Sequence, residues 1–331
     1  MSPTPEPFEP QTRAALFAGR APSLHNSQPW HWYVRPEGLD LRLERSRALR
    51  VGDPRSRLAI LSCGAALHYA RVHLAAAGRQ VDTVRTPDSD DPDLLARLLL
   101  GEQVPRDPDA IRMVRAANQR HTDRRTAPAA PLDLHRAHTV RQAVHREGAE
   151  LTVLRPHQVF TLAEAAEHGY GVEAADPARQ REATAWIGGD RSLGSGIPAS
   201  ALPADPYRVA SPAHLMRRPG STLIAESHHH AAIFAVLSTA GDGRLDWLTA
   251  GEALSAGWLT ATTLSVAVLP LSIVTEVAAS RDRVRALLAS AGNPQLALRL
   301  SAAGGTASPP TPRIAGDAFV SRKPYEAQPR D

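Results

Sequence analysis

The longest regular pattern in the sequence is an apolar stripe that recurs at helical spacing over residues 54–77 and ends at Gly78. Its members are Leu58, Leu61, Ala65, Val72 and Ala76. Residues at this spacing share one face of a helix, so the segment predicts a long helix whose apolar face packs against other elements. With 331 residues, 43% of them hydrophobic, the chain is long enough to bury such a helix in one large domain or two medium ones.

Strand patterns surround this helix. Residues 30–34 and 39–43 form alternating segments around the turn at residues 36–38, which predicts two paired strands. The other elements predicted in this part of the chain are a short helix over residues 8–20 and a strand over residues 81–85.

A second half follows a connection from Thr86 to Pro108 that is rich in Pro and Asp, with one apolar helical turn predicted from Leu94 to Leu100. The predicted helices cover residues 109–118, 131–147, 156–169, 246–264 and 280–291, and the predicted strands cover 150–155, 231–237 and 295–300. Asp246 is the predicted N-cap of the fourth helix. Residues 186–222 are rich in Pro and Gly and are predicted to form a lid or binding loop. The pattern is α+β, with two halves of related layout over residues 1–105 and 106–331.

Composition and motif counts exclude several classes of protein. The formal net charge is only +4 and no basic block is interleaved with aromatic residues, so nucleic-acid binding is not expected. The single cysteine, Cys63, excludes an intramolecular disulfide and a cysteine zinc site. The three consecutive histidines at 228–230 would point to opposite faces of a strand, so no metal site is expected. We find no secretory signal and no apolar run of about 18–20 residues, and we therefore expect no membrane partner and a cytoplasmic location.

Short polar side chains crowd the loop that leads into the first strand pair. Ser23, Asn26 and Gln28 can donate and accept hydrogen bonds, as the edge of a planar heteroaromatic ligand requires. Pro29 and Trp30 then fix an extended entry into the strand. On composition alone, an Asx-type turn that satisfies its own backbone is the more common use of such residues.

The pattern Pro-Ser-x-x-Asn-x-Gln-Pro-Trp at residues 22–30 resembles the signature loop of FMN-dependent nitroreductases. With His25 inside it, the loop resembles that of the Acg family, a branch of bacterial nitroreductase-like FMN-binding proteins. Further segments resemble the same family: Arg120-His121-Thr122-Asp123-Arg124-Arg125, residues 238–254, Pro270-Leu271-Ser272 with Glu276 and Arg281, and residues 292–300. Together these segments cover most of residues 20–300, and the resemblance implies a nitroreductase-like α+β fold.

In such nitroreductases two subunits share each flavin: one binds the FMN phosphate with arginines, and the other lends the Asn-x-Gln-Pro-Trp loop. In this chain the first half has only the loop and the second half has only the arginines. The resemblance therefore implies a single-chain pseudo-dimer with one FMN per chain, present as a monomer or as a homodimer.

The resemblance also implies roles for individual residues. Arg120 and Arg124 would bind the FMN phosphate together with the Thr122 hydroxyl, although a solvated basic loop would explain the same residues. After Pro270, a main-chain N–H of Leu271 or Ser272 would donate to flavin N5, where charge develops, and an ordinary turn is the alternative. The predicted cofactor-binding set is completed by Ser23, Asn26, Gln28 and Arg299.

The implied function is that of an FMN-dependent oxidoreductase of nitroreductase type. In a ping-pong cycle, NAD(P)H would pass hydride to flavin N5 and be replaced by a small electron-poor acceptor such as a nitroaromatic or a quinone. His25 is the candidate catalytic acid, with a structural loop histidine as the alternative. A function of a different class is FMN sequestration or storage, in which the lid over residues 186–222 would block nicotinamide stacking.

Overall fold

The computed structural model describes residues 8–124, 130–188, 191, 194–202, 231–288, 292–304 and 311–322. Within them, the larger sheet contains β1 (Trp30–Arg35), β2 (Gly38–Leu43), β3 (Arg79–Arg85), β4 (Leu94–Gln103) and β9 (Val320–Ser321). The strands lie in the order β3-β4-β2-β1-β9, with antiparallel neighbours except that β9 runs parallel to β1. The predicted strand pair is confirmed, since Trp30 pairs with Leu43 and Arg35 with Gly38.

The helical turn predicted from Leu94 to Leu100 is wrong, because this stretch belongs to strand β4. A short apolar run is compatible with either a helix or a strand. Strand β4 lies between β2 and β3, so its backbone groups pair with both neighbours. Hydrogen bonding to strands β2 and β3, which are distant from each other in sequence, therefore makes residues 94–100 a strand and not a helix.

The smaller sheet lies in the second half of the chain. It contains β5 (Glu150–Val153), β6 (Ile233–Thr239), β7 (Val266–Leu271) and β8 (Asn293–Ala302), in the antiparallel order β5-β6-β8-β7. The strands predicted over residues 150–155, 231–237 and 295–300 overlap β5, β6 and β8. Strand β7 pairs only with β8 in this sheet, and an edge position tolerates Pro270, which has no N–H to donate.

Helices cover both sheets. They are α1 (Glu9–Ala18), α2 (Arg57–Ala76), α3 (Pro108–Gln119), α4 (Leu134–Arg146), α5 (Pro156–Ala175), α6 (Pro177–Trp186), α7 (Arg244–Thr263), α8 (Ile273–Glu276) and α9 (Ala278–Arg285). The predicted N-cap at Asp246 is wrong, because α7 begins at Arg244 with Gly243 as its N-cap. The carboxylate of Asp246 instead accepts hydrogen bonds from the N–H groups of Gly243 and Gly241, at 2.9 and 3.2 Å. The last predicted helix is also too long, since α9 ends at Arg285.

Helices α2 and α7, one from each half of the chain, pack against each other at two glycines. A Cβ atom on Gly64 would lie 2.0 Å from the carbonyl oxygen of Leu248, and one on Gly251 would lie 1.9 Å from that of Leu61. No side chain larger than hydrogen fits at either position. By length and hydropathy α2 is a candidate membrane span, but 83% of its most apolar stretch is buried inside the protein, as in a core helix.

Only the first part of the predicted lid lies within the described residues, which stop at residue 202 and resume at residue 231. Trp186, Ile187, Ile197 and Ala201 form a small apolar cluster with Leu49. The beginning of the segment therefore packs against the first half of the chain. Residues 203–222 of the predicted lid lie outside the described residues.

The division of the chain into halves at residues 105 and 106 stays a prediction. Strand β9 does not follow this division, because it comes from the second half of the sequence and pairs in the sheet of the first half.

Candidate functional site

A cavity of about 980 Å³ lies where the two halves meet. Its wall is built from the loop after α1, the C-terminal end of α3, the end of β7, facing residues of α2 and α7, and the segment that precedes β9. Binding cavities for small molecules span about 300–1,000 Å³. The cavity is therefore large enough for a cofactor.

Ten of the eleven predicted site residues line this cavity. They are Ser23, His25, Asn26, Arg120, Thr122, Arg124, Pro270, Leu271, Ser272 and Arg299. Gln28 does not belong to the lining. Its buried side chain donates to the carbonyl oxygens of Asn26 and Gly194, at 3.2 and 3.1 Å, and accepts from the N–H of Ile314 at 3.1 Å. The Gln28 amide thus joins its own loop to the segments that contain Gly194 and Ile314.

The loop from Ser23 to Gln28 has an unusual backbone. His25, Asn26 and Gln28 have φ values of 46°, 58° and 51°, in the left-handed region that residues other than glycine rarely adopt. The Ser23 hydroxyl holds this shape by accepting the N–H of Gln28 at 3.0 Å. Strain of this kind persists only where surrounding contacts over-determine the backbone, and it clusters at functional sites.

Asn26 ties the loop to two other segments. Its side-chain Nδ2 donates to the carbonyl oxygens of Gly196, at 3.0 Å, and Pro312, at 2.9 Å. Its Oδ1 accepts from Nη1 of Arg313 at 2.5 Å. Both donors of the amide are therefore used within the protein, and only acceptor capacity on Oδ1 remains for a ligand.

Besides Arg299, four arginines border the cavity, and they are called here the arginine cluster: Arg20, Arg120, Arg124 and Arg313. Nε of Arg120 donates to the hydroxyl of Tyr69 at 2.9 Å, and its guanidinium lies over the Trp258 ring, 4.8 Å from the centroid. Arg120 and Arg313 both donate to the carbonyl oxygen of Arg20, at 3.3 and 3.2 Å. These contacts hold guanidinium groups side by side in spite of their like charges.

Within the described parts of the chain, the arginine cluster has no carboxylate counter-ion. Among the residues that the structure describes, no carboxylate lies within ion-pair distance of Arg120, Arg124 or Arg313. Burial, together with the charge of Arg120, lowers the pKa of Arg124 and of Arg313 to about 10, so both stay protonated at neutral pH. Like charges that are partly withdrawn from water are costly, and an anionic ligand would relieve that cost.

Arg299 positions the arginine segment. Its Nη2 donates to the carbonyl oxygen of Asp123 at 3.1 Å, and the N–H of Asp123 donates to the carbonyl oxygen of Val268 at 3.2 Å. Residues 120–124 are thus fixed to β7 and β8, next to the Pro270–Ser272 stretch at the end of β7. The predicted phosphate residues at 120–124 and the predicted ring residues at 270–272 are thus brought together, although they are distant in sequence.

The cavity wall also contains two carboxylates that sequence reasoning missed, Glu173 on α5 and Glu276 on α8. Burial and the neighbouring Glu276 raise the pKa of Glu173 to about 7. Burial lowers the pKa of His25, which keeps its imidazole neutral at neutral pH. No motif in the sequence marks Glu173. Glu276 belongs to a segment that resembles the family but was not predicted as a site residue, and Arg313 lies in a Pro-rich tail without helical or strand periodicity. The described residues contain no cluster of three or more metal-ligating side chains.

No family model matches the chain. Curated relatives match almost all of it. A "Putative NAD(P)H nitroreductase" of Mycobacterium tuberculosis H37Rv is 36% identical over 308 residues, which cover 90% of this chain and 87% of the relative. The "Putative NAD(P)H nitroreductase acg" of the same organism is 34% identical over 317 residues, covering 91% and 92%.

Solved structures overlap a smaller part of the chain. The FMN-dependent nitroreductase NfnB from Mycobacterium smegmatis, in complex with NADPH, covers 65% of this chain and 99% of its own, with 15% identity and a TM-score of 0.44. A nitroreductase with bound FMN from Bacteroides fragilis covers 59% and 90%, with 11% identity and a TM-score of 0.37.

Proposed function

The chain belongs to the nitroreductase-like Acg family, and from this membership we propose that it is an FMN-dependent oxidoreductase that uses NAD(P)H. The proposed acceptor is a small electron-poor molecule such as a nitroaromatic or a quinone. FMN, when bound, supplies the redox chemistry, by taking two electrons from a reduced nicotinamide and releasing them to an acceptor. The protein binds and orients the cofactor and the reactants.

The observation that carries this proposal is the arginine cluster, for which the residues that the structure describes provide no counter-ion. A flavin phosphate is dianionic, and guanidinium groups bind phosphate oxygens through charge-assisted, often bidentate, hydrogen bonds. Arg120 and Arg124 would bind it with the Thr122 hydroxyl, and Arg313 would add a further donor from the C-terminal segment. The residues present therefore fit the group that the family implies.

The isoalloxazine ring would lie deeper in the cavity, against the end of β7. Apolar residues of α2 and α7, among them Leu58, Leu61 and Leu254, provide a surface for a planar ring. A main-chain N–H of Leu271 or Ser272 would donate toward N5. A donor fixed by the sheet needs no reorganisation when negative charge develops at that atom.

We further infer that residues 1–105 and 106–331 act as the two halves of a single-chain pseudo-dimer. Support comes from the packing of α2 on α7 and from the shared cavity, to which the first half contributes the Ser23–Asn26 loop and the second contributes Arg120, Arg124 and the end of β7. The expected stoichiometry is one FMN per chain, for a monomer or for each chain of a homodimer. A cytoplasmic location stays a prediction.

The purified protein provides the test. It should be yellow, release one FMN per chain on heat denaturation, and lose its 450 nm flavin band when mixed anaerobically with NADH or NADPH. Addition of a nitroaromatic or a quinone should restore the band. A colourless protein that does not take up added FMN would contradict the proposal.

FMN storage is the second candidate function, and one observation favours it. The described start of the 186–222 segment packs against the flavin loop, since Gly196 is hydrogen-bonded to Asn26 in both directions and Ile187 and Ile197 line the cavity. A segment held over the loop in this way would restrict access by a nicotinamide. Stopped-flow mixing with NADH and NADPH separates the two functions, because a store binds FMN fully yet is reduced very slowly or not at all.

A further inference from the structure

The titratable side chains of the cavity wall include His25, Glu173 and Glu276, of which the last two are carboxylates. Within the described part of the chain, neither carboxylate accepts a hydrogen bond or forms an ion pair. The neighbouring acidic groups differ in this respect. Glu182 accepts the N–H groups of residues 50–52, and Asp53 accepts the N–H of Ala59 at 2.9 Å. Glu173 and Glu276 are therefore the carboxylates that remain available to a ligand.

A close helix contact brings Glu173 and Glu276 together. A Cβ atom on Gly169 of α5 would lie only 2.8 Å from the carbonyl oxygen of Ile273 at the start of α8. Glu173 lies one turn after Gly169 on the same face of α5, and Glu276 lies three residues after Ile273 on α8. The absence of a side chain at Gly169 thus allows both carboxylates to face the same part of the cavity.

We propose that Glu173 donates the proton that the acceptor needs when it is reduced in this cavity, with Glu276 as the carboxylate that faces the same part of the cavity. The inference rests on the proposed oxidoreductase function and names a catalytic residue for it. With a quinone as acceptor, the reduced cofactor supplies two electrons and one proton. The O–H bond of the Glu173 carboxyl breaks, and an O–H bond forms on the second quinone oxygen. The products are a hydroquinone, the oxidised cofactor and the Glu173 carboxylate, which regains a proton from water.

Electrostatics favour Glu173 over His25 for this role. The charged groups around Glu173 are Glu276 on α8 and Arg179 on α6, and the charge of Arg179 is shared with Asp176 at 3.5 Å. Glu173 also lies in the last turn of α5, where the helix dipole disfavours a negative charge. Its pKa of about 7 leaves a large protonated fraction at neutral pH. Burial lowers the pKa of His25 and so disfavours its protonated form, which makes it the weaker candidate for an acid.

The test compares Glu173→Gln with Glu164→Gln, a change on the exposed face of the same helix. The parent and both variants are loaded with FMN, reduced with dithionite and reoxidised in a stopped-flow instrument by 1,4-benzoquinone or by ferricyanide. Ferricyanide takes electrons without protons, so it reports on the cofactor alone. Dithionite is used because it makes the result independent of NAD(P)H.

With benzoquinone, the parent and Glu164→Gln should react fastest below pH 7 and slow as the pH rises through about 7. Glu173→Gln should be about a hundredfold slower at pH 6 and should lose this inflection, in line with the usual contribution of a general acid. With ferricyanide all three proteins should react alike. Infrared difference spectra should independently show a protonated carboxyl that titrates near pH 7 in the parent and is absent in Glu173→Gln.

Equal benzoquinone rates in Glu173→Gln and the parent, or an infrared carboxyl signal that persists in the variant, would overturn the role of Glu173 while leaving the oxidoreductase intact. A protein that does not retain FMN, or whose reduced form reacts with neither oxidant, would overturn the proposed function and this role with it. The two failures are therefore distinguishable.

Discussion

Nη1 of Arg313 donates to Oδ1 of Asn26 over 2.5 Å, joining the strained loop of the first half to the segment that precedes the last strand. Arg313 also donates to the carbonyl oxygen of Arg20 and belongs to the arginine cluster. One side chain thus bonds the loop predicted to face the flavin ring and shares an acceptor, the carbonyl oxygen of Arg20, with Arg120 of the proposed phosphate site. Ring and phosphate binding are therefore expected to be coupled through Arg313.

A double-mutant cycle tests this coupling. Asn26→Ala and Arg313→Ala should each weaken FMN binding, and the double variant should lose less than the sum, with a coupling free energy of about 0.5–3 kcal/mol. Asn26→Ala should also shift the flavin absorbance bands, because the loop at residues 23–28 loses its anchor to Gly196 and Pro312. Affinities are measured by quenching of FMN fluorescence. Strictly additive losses with unchanged spectra would contradict this view of the loop.

Arg124→Ala should weaken FMN binding about ten- to hundredfold. A hydrogen bond to a charged group contributes about 1.5–3 kcal/mol, and each 1.4 kcal/mol changes a dissociation constant tenfold. The matched control is Arg115→Ala, which removes an exposed arginine of the preceding helix and should leave affinity unchanged. Riboflavin, which lacks the phosphate, should bind the parent and Arg124→Ala with similar affinity. Equal FMN affinities in Arg124→Ala and the parent would remove Arg124 from the proposed phosphate site.

The number of flavins tests the pseudo-dimer. Saturated protein should hold one FMN per chain, because the cavity combines the single Ser23–Asn26 loop with the single Arg120–Arg124 segment. FMN fluorescence after heat release, divided by the protein concentration, gives the ratio, and light scattering gives the number of chains per particle. A ratio near two would show that a second phosphate site has been missed.

The sequence predicts those parts of the site that depend on local patterns. The loop at residues 22–30 and the arginines at 120–124 each lie within one short segment, and the structure brings both to the same cavity. Arg313 and Glu173 could not be found in this way, because their roles arise from tertiary contacts to Asn26 and to Glu276. Strand β4 was missed for the same reason.

The contact between α2 and α7 should be highly sensitive to side-chain size. Gly251→Ala should destabilise the protein by about 1–3 kcal/mol or more, because its Cβ would lie 1.9 Å from the backbone oxygen of Leu61 and rigid helices cannot easily separate. The control is Gly171→Ala in α5, where nothing lies within 4 Å of the added carbon. That change should leave stability equal or slightly higher, since alanine is the better helix former. Urea unfolding curves measure both, and equal stabilities for the two variants would contradict the close packing at Gly251.

Asp242 is expected to contribute to acid stability through Arg281. Burial alone would raise the pKa of Asp242, but hydrogen bonds from Arg281 and Trp247 and the charge of Arg281 lower it well below its ordinary value. A carboxyl whose pKa is lower in the folded than in the unfolded protein stabilises the fold at every pH above its unfolded value of about 3.9, and this contribution is lost as the pH falls further.

Asp242→Asn should therefore lower the Tm at pH 7 and make the decline of Tm below about pH 4 shallower than in the parent. Asp282→Asn, which changes an exposed carboxylate paired with Arg285 within α9, is the control and should follow the parent's curve closely. Parallel Tm curves for Asp242→Asn and the parent between pH 2 and pH 7 would show that Asp242 does not titrate with folding.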